Sequence, residues 1–219
     1  MIKVLPSTNP CPEEDLLSYA KMLDKLNVEY LHCDVMDGEF VENKCLDFDT
    51  LKNVRDNSNM LLDVHLMVAN TKEYVEKFAT LKPSIITIHY ESPKSTNELL
   101  KIMEYIKSKD IFVGLSIKPN TPVEIIERFL KKIDLLLIMS VEPGKSGQSF
   151  IEESIEKIKK AKELIGDKNI VLEVDGGINE NNFQKVIDAG ADFLVMGSAF
   201  YNSKNKEKLL VTIDEHYKN

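Results

Sequence analysis

Arginine is nearly missing from this chain: only Arg55 and Arg128 occur among 219 residues. The guanidinium fork that reads guanine edges is therefore scarce. A net charge of −8, from 28 Lys+Arg against 36 Asp+Glu, further opposes attraction to a polyanion, so no nucleic-acid partner is expected. Cysteine is as thin. Cys11, Cys33 and Cys45 make neither a disulfide framework nor a paired metal motif. Nine glycines and eight prolines exclude collagen-like and low-complexity composition. The longest apolar runs, such as 135–139, are about five residues, against the roughly 20 that span a bilayer, so no membrane partner is expected. The opening MIKVLPS lacks the apolar core of a signal peptide, and the expectation is a soluble, cytoplasmic protein. There is no P-loop and no G-x-G-x-x-G, so a nucleotide cofactor is not indicated.

What is present is a repeat of pattern. With 43% hydrophobic residues, the chain has ample material for one core, and residues 1–219 read as one domain. Short β-branched, apolar runs at 2–5, 30–35, 60–68, 85–90, 112–117, 135–141, 170–174 and 193–196 alternate with charged stretches of helical period. Those stretches lie near 13–27, 48–56, 71–81, 95–109, 122–131, 151–165, 180–189 and 205–217. Eight units in 219 residues is about 27 residues each, close to the minimum for a strand and its helix. Regular alternation implies parallel strands, because each crossover returns the chain to the same end of the sheet. Eight units without a composition break predict a closed (β/α)₈ TIM barrel, with an open doubly wound sheet as the alternative.

In such a barrel, function gathers where strands end. The second predicted strand runs into His32-Cys33-Asp34-Val35-Met36-Asp37-Gly38, the third contains Asp63-Val64-His65-Leu66-Met67, and the seventh ends Glu173-Val174-Asp175-Gly176-Gly177. Side chains in a strand alternate faces, so His32 and Asp34 share a face with Cys33 opposite. Facing inward, His32, Asp34, His65 and Asp175 would converge on one axial point and offer four ligands to a divalent transition metal, zinc, iron, cobalt or manganese. Asp63 and Glu173 would face inward one layer deeper, where a buried carboxylate needs a partner such as a ligand imidazole. His89 reads as core or as support behind the ligands, and His216 as surface. Met36, Met67 and Met139, at strand ends, read either as core filling or as a polarizable, dry lining beside the metal. Glycine-containing loops follow the sixth to eighth strands: Pro143-Gly144-Lys145-Ser146-Gly147-Gln148, Asp175-Gly176-Gly177 and Gly197-Ser198. Glycines let backbone N–H groups approach an anion, and their coincidence on adjacent units points to a phosphorylated substrate.

These residues resemble the ribulose-phosphate 3-epimerase family, a family of (β/α)₈ enzymes. The resemblance rests on PS at 6–7, LHCDVMDGEF at 31–40, LDVHLMV at 62–68, GLSIKPNTPVE at 114–124, MSVEPGKSGQSF at 139–150, LEVDGGIN at 172–179 and AGADFLVMGSAF at 189–200, in family order along almost the whole chain. It implies that His32, Asp34, His65 and Asp175 bind one divalent metal ion, with Asp34 and Asp175 as the proton-transfer pair. It also implies that Ser7 and His65 touch substrate. Gly144, Lys145, Ser146 and Gly147, then Asp175, Gly176 and Gly177, and Gly197 with Ser198 would enclose a sugar phosphate. Homo-oligomers are implied too. The chain departs from the family pattern at Thr8-Asn9-Pro10-Cys11-Pro12, at Glu39 and Glu42, and at Lys145 and Ser146. These departures bear on substrate preference and loop closure. A hexulose phosphate such as allulose 6-phosphate is the same-class alternative, and a non-catalytic sugar-phosphate barrel is a further one. The related phosphate barrels that decarboxylate or perform aldol chemistry carry D-x-K-x-x-D where this chain has His32 to Asp37, with Asp34 at the lysine position.

Overall fold

The computed structural model describes residues 2–218. Nine strands form one sheet: β1 (Lys3–Pro6), β2 (Tyr30–Asp37), β3 (Lys44–Cys45), β4 (Leu61–Met67), β5 (Ile85–His89), β6 (Phe112–Ile117), β7 (Leu135–Met139), β8 (Val171–Asp175) and β9 (Phe193–Met196). Their order is β1-β9-β8-β7-β6-β5-β4-β2-β3. Eight strands pair in parallel and match the eight predicted runs. The ninth, β3, was not expected; it folds back antiparallel on the end of β2, pairing Met36 with Cys45 and Asp37 with Lys44. The sheet closes through a parallel bridge between Ser7 and His32 and a bond from the Thr8 N–H to the His32 carbonyl at 2.9 Å. One rung further along this seam, the Asp34 N–H donates to Thr8 Oγ1 at 3.1 Å. A side chain there continues the ladder that the backbone has left.

The helices are α1 (Leu16–Lys25), α2 (Phe48–Asn57), α3 (Thr71–Phe78), α4 (Thr96–Lys107), α5 (Ser154–Ile165), α6 (Phe183–Asp188), α7 (Ser198–Tyr201) and α8 (Lys206–Lys218). Their boundaries have local causes. Asp47 caps α2 by accepting from the Thr50 N–H at 2.8 Å, and Ser95 caps α4 by accepting from the Glu98 N–H at 3.2 Å. Gly166, at φ +55°, ends α5. In α4 the buried residues are Leu99, Ile102, Met103 and Ile106, one stripe at helical spacing, each stabilising the docking by about 1.5–3 kcal/mol. Two readings are corrected. The expected α-helix at 122–131 is a 3-10 helix, Val123–Phe129, whose buried residues Val123, Ile126 and Phe129 recur every three positions. That spacing puts them on one face at three residues per turn but not at 3.6. The four-residue α7 lies where continuous loop was expected.

Two main apolar regions result, beside a minor third of Met36, Val41 and Met67. The larger lies between sheet and helices and takes the outward side chains, Cys33, Val35, Val64, Leu66, Ile86 and Ile88 among them. The smaller fills the barrel with Leu5, Ile85, Leu135, Leu137, Met139, Val141, Phe193 and Val195. Beside this inner plug sit the buried polar residues His32, Asp34, Asp63, His65, His89 and Glu173. Among the described residues, no helix is long and apolar enough to cross a membrane.

Candidate active site at the barrel mouth

Parallel pairing sets His32 beside Asp63 and Asp34 beside His65, while Met139 on β7 sits beside Asp175 on β8. Closure then brings β8 round toward β2. One donor atom each from His32, Asp34, His65 and Asp175 lies within 4.8 Å of all the others. His32 Nε2 is 3.3 Å from Asp34 and 3.9 Å from Asp175, and His65 Nδ1 is 3.2 Å and 3.9 Å from the same carboxylates. The four residues that the sequence placed on one axis therefore meet.

Each ring has a partner on its far side. His32 Nδ1 donates to Asp63 at 2.6 Å, with Glu173 3.5 Å away, which leaves Nε2 buried and without a hydrogen-bond partner. A buried ring nitrogen with no hydrogen-bond partner, aimed at two carboxylates, is a place a cation would satisfy, so the donor set fits a divalent metal. Burial opposes the charge on Asp34, yet the imidazoles of His32 and His65 hold its carboxyl well below the usual range. Asp175 is pushed the other way, up to about 6, by burial and then by the Asp34 charge. Two carboxylates at one point with separated proton affinities can divide acid and base roles. Glu173 is raised as well, by burial and then by the Asp63 charge.

Ser7 Oγ donates to Asp34 Oδ2 at 2.6 Å and accepts from the Asn9 N–H at 3.0 Å, so the hydroxyl both lines the cleft and orients Asp34. Met36, Met67 and Met139 also line this cleft while being nearly inaccessible, so core filling and site lining are the same role here. Across the mouth, the cleft is walled by Gly144, Lys145, Ser146 and Gly147, by Gly176 and Gly177, and by Gly197 and Ser198. Gly176 (φ +128°) and Gly177 (φ +67°) are required rather than convenient: a Cβ would sit 2.5 Å from Val141 Cγ2 in the first case and 2.4 Å from the Phe150 nitrogen in the second. Lys145 reaches out of the mouth to Glu42 at 3.1 Å, joining two of the three loops whose sequences depart from the family.

Several contributors escaped the sequence reading. Ser140 pins the turn after β8 by donating to the Asp175 and Gly176 carbonyls at 3.0 and 2.7 Å. Thr8 holds the Asp34 backbone, as described above. His89, read from the sequence as core or as support, takes the supporting place: its Nε2 lies 2.9 Å from His65 Nε2 and, in a contact the sequence reading missed, its Nδ1 lies 3.3 Å from Glu91. The signal for that pair was available: Glu91 follows His89 by two residues, the spacing of His32 and Asp34, but stands just past the strand end. Burial pushes the His89 imidazole down to about 4. Burial likewise opposes the Glu91 charge, but bonds from His89, Thr121 and the Lys118 N–H hold its carboxyl at about 2. His216, half-exposed as expected, pairs with Asp188 at 3.0 Å.

A family model described as the Ribulose-phosphate 3 epimerase family matches residues 3–201. The ribulose-phosphate 3-epimerase of Helicobacter pylori (strain J99) is 41% identical over 209 residues, 94% of each chain. That of Bacillus subtilis (strain 168) is 36% identical over 216 residues, covering 97% of this chain and 98% of its own. Among solved structures, 3-hexulose-6-phosphate synthase from Salmonella typhimurium superposes with a TM-score of 0.73 at 12% identity, covering 99% of both chains, which is a likeness of fold alone. With a match spanning nearly the whole length and a buried His₂Asp₂ cluster at the barrel mouth, the chain belongs to the ribulose-phosphate 3-epimerase family.

Proposed function

We propose that this chain interconverts D-ribulose 5-phosphate and D-xylulose 5-phosphate by removing and returning the proton on C3 through an ene-diolate. The observation that carries the reading is the convergence of His32, Asp34, His65 and Asp175 within 4.8 Å. Inversion needs a base on one face of C3 and an acid on the other. Asp34 on β2 and Asp175 on β8 approach from different sides, since β9 and β1 separate their strands along the closing side of the barrel. Asp34, oriented by Ser7 and by Thr8, takes the proton from one epimer, while Asp175 delivers one to the opposite face; the roles exchange in reverse. One divalent ion, zinc, iron, cobalt or manganese, would be held by His32 Nε2, His65 Nδ1 and the two carboxylates, and when bound it supplies Lewis-acid stabilisation of the charge that develops on the substrate oxygens.

The phosphate belongs on the glycine side, where Gly177, Gly197 and Ser198 present backbone N–H groups and a hydroxyl in place of arginine. Gripping that remote group gives binding energy to position C3. The enzyme is read as one domain working in the cytoplasm as a homo-oligomer. An assay of ribulose 5-phosphate beside allulose 6-phosphate, with and without chelator, tests the reading. Chelator-sensitive turnover of the pentulose phosphate is expected. Preference for the hexulose phosphate would reassign the substrate, and turnover of neither would leave a sugar-phosphate binder.

A further inference from the structure

Behind the four converging residues runs a buried line of groups: His65, His89 and Glu91. His65 and His89 are wholly inaccessible. Their Nε2 atoms are 2.9 Å apart while their ring centres are 4.9 Å apart, with planes 26° from parallel. Nitrogens much closer than centres, in nearly coplanar rings, mean that the imidazoles meet edge to edge. One proton must lie between the two nitrogens. Glu91 settles which ring owns it. Its carboxylate can only accept, and Oε2 is 3.3 Å from His89 Nδ1, so His89 carries its hydrogen on Nδ1 and a lone pair on Nε2. His65 must therefore donate through Nε2–H, which makes Nδ1, 3.2 Å from Asp34 and 3.9 Å from Asp175, the nitrogen that can release its hydrogen and take a metal ion.

Glu91 is itself fixed from the next strand. Its Oε1 accepts from the Lys118 N–H at 2.8 Å and from the Thr121 hydroxyl, both in the loop that follows β6. Phe40, from the loop after β2, packs its ring 4.9 Å from that of His89, and the Lys118 ammonium lies 4.1 Å over the same Phe40 ring. The outer end of the line is thus anchored by two loops of the mouth.

We infer that Glu91 is a positioning residue for this enzyme: acting through His89, it holds His65 in the tautomer whose Nδ1 is free to bind a metal ion. The inference rests on the reading of His65 as a ligand. Glu91→Gln is a sharp test because the side chain keeps its size and yet cannot accept at both ends. An amide NH₂ turned to His89 calls for an Nδ1 lone pair, which moves a hydrogen to Nε2 and, in turn, one onto His65 Nδ1. Turned the other way, it opposes the Lys118 N–H.

Zinc affinity of the purified protein, measured by chelator competition, is expected to fall roughly 10–100-fold in Glu91→Gln, with activity largely recovered at saturating zinc. Long-range proton–nitrogen NMR of the metal-free wild-type protein is expected to show His65 protonated on Nε2 and His89 on Nδ1. That measurement needs no variant, so it decides the matter even if Glu91→Gln folds poorly. A wild-type spectrum with no hydrogen on His65 Nε2, or zinc affinity in a folded Glu91→Gln within twofold of wild type, overturns the inference. His65→Ala separates the two levels: if it leaves zinc affinity unchanged, the ligand reading has failed, whereas loss in His65→Ala but not in Glu91→Gln removes only the role of Glu91.

Discussion

The two sides of the barrel mouth are built by opposite means. On the side of β2, β4 and β5, ionisable side chains do the work, and each is held by another: Asp63 on His32, Ser7 on Asp34, His89 on His65 and Glu91 on His89. On the side of β7, β8 and β9, side chains other than Asp175 are largely withdrawn. Gly144, Gly147, Gly176 and Gly177 adopt positive φ, and with Gly197 they line the cleft there. The comparison teaches a division of labour. Moving a proton needs tunable groups in fixed orientation, whereas gripping a phosphate needs closely spaced N–H donors that need no tuning.

The largest effect should come from removing a tunable group. Asp175→Asn is expected to lower net epimerisation roughly 10²–10⁴-fold. If metal is retained, exchange of the C3 proton with solvent deuterium should persist for one epimer without inversion. Metal content must be measured beside it, and His32→Ala should reduce metal content and turnover together. Near wild-type epimerisation by metal-loaded Asp175→Asn would remove Asp175 from the proton-transfer pair.

On the backbone side, Gly197→Asp introduces charge where none belongs. The nearest atoms to a Cβ there are Ser146 Oγ at 3.6 Å and Ser7 Cβ at 3.9 Å, so the side chain has room and the fold should persist. Two like charges about 4 Å apart repel by about 4 kcal/mol at an effective dielectric of about 20. KM should rise by at least on the order of 10²-fold, more than kcat falls, and an unchanged KM would move the phosphate elsewhere.

The third difference is in acid. Glu91 has a folded value of about 2 against an ordinary 4.5, so the stability it contributes is complete above pH 4.5 and is lost as pH falls toward 2. Its side chain is 20% exposed, and the contribution is at most about 3 kcal/mol. Denaturant unfolding of Glu91→Gln should show a shallower loss over that window than wild type; equal slopes would mean that the bonds to Glu91 are equally strong when it is protonated. The smallest effect belongs to the exposed Lys145–Glu42 pair. Lys145→Ala should alter stability by less than about 1 kcal/mol, and any change larger than a few-fold should appear in KM. A collapse of kcat would show that the loops joined by this pair also order the proton-transfer side.

The comparison also explains what could be read along the chain. The sequence by itself determined the eight strands, because apolar runs of strand length separated by helical periods admit few folds. It also determined which residues face inward, since His32 and Asp34, Asp63 and His65, and Glu173 and Asp175 share a face by parity alone. Even the withdrawn side announced itself through glycine. The 3-10 helix at Val123–Phe129 was hidden because only three buried positions separate a period of three from one of 3.6 there, too few to show in the sequence pattern. Only the tertiary structure decided that Ser7 is bonded to Asp34, that Thr8 completes the seam, that His65 meets His89 nitrogen to nitrogen, and that Glu91, beyond its strand, still reaches His89. The physical reason is range. Side-chain direction follows from the dihedrals of the strand that carries it, while the approach of Asp175 to Asp34, 141 positions apart, follows from the twist and closure of the whole sheet, which no local window contains.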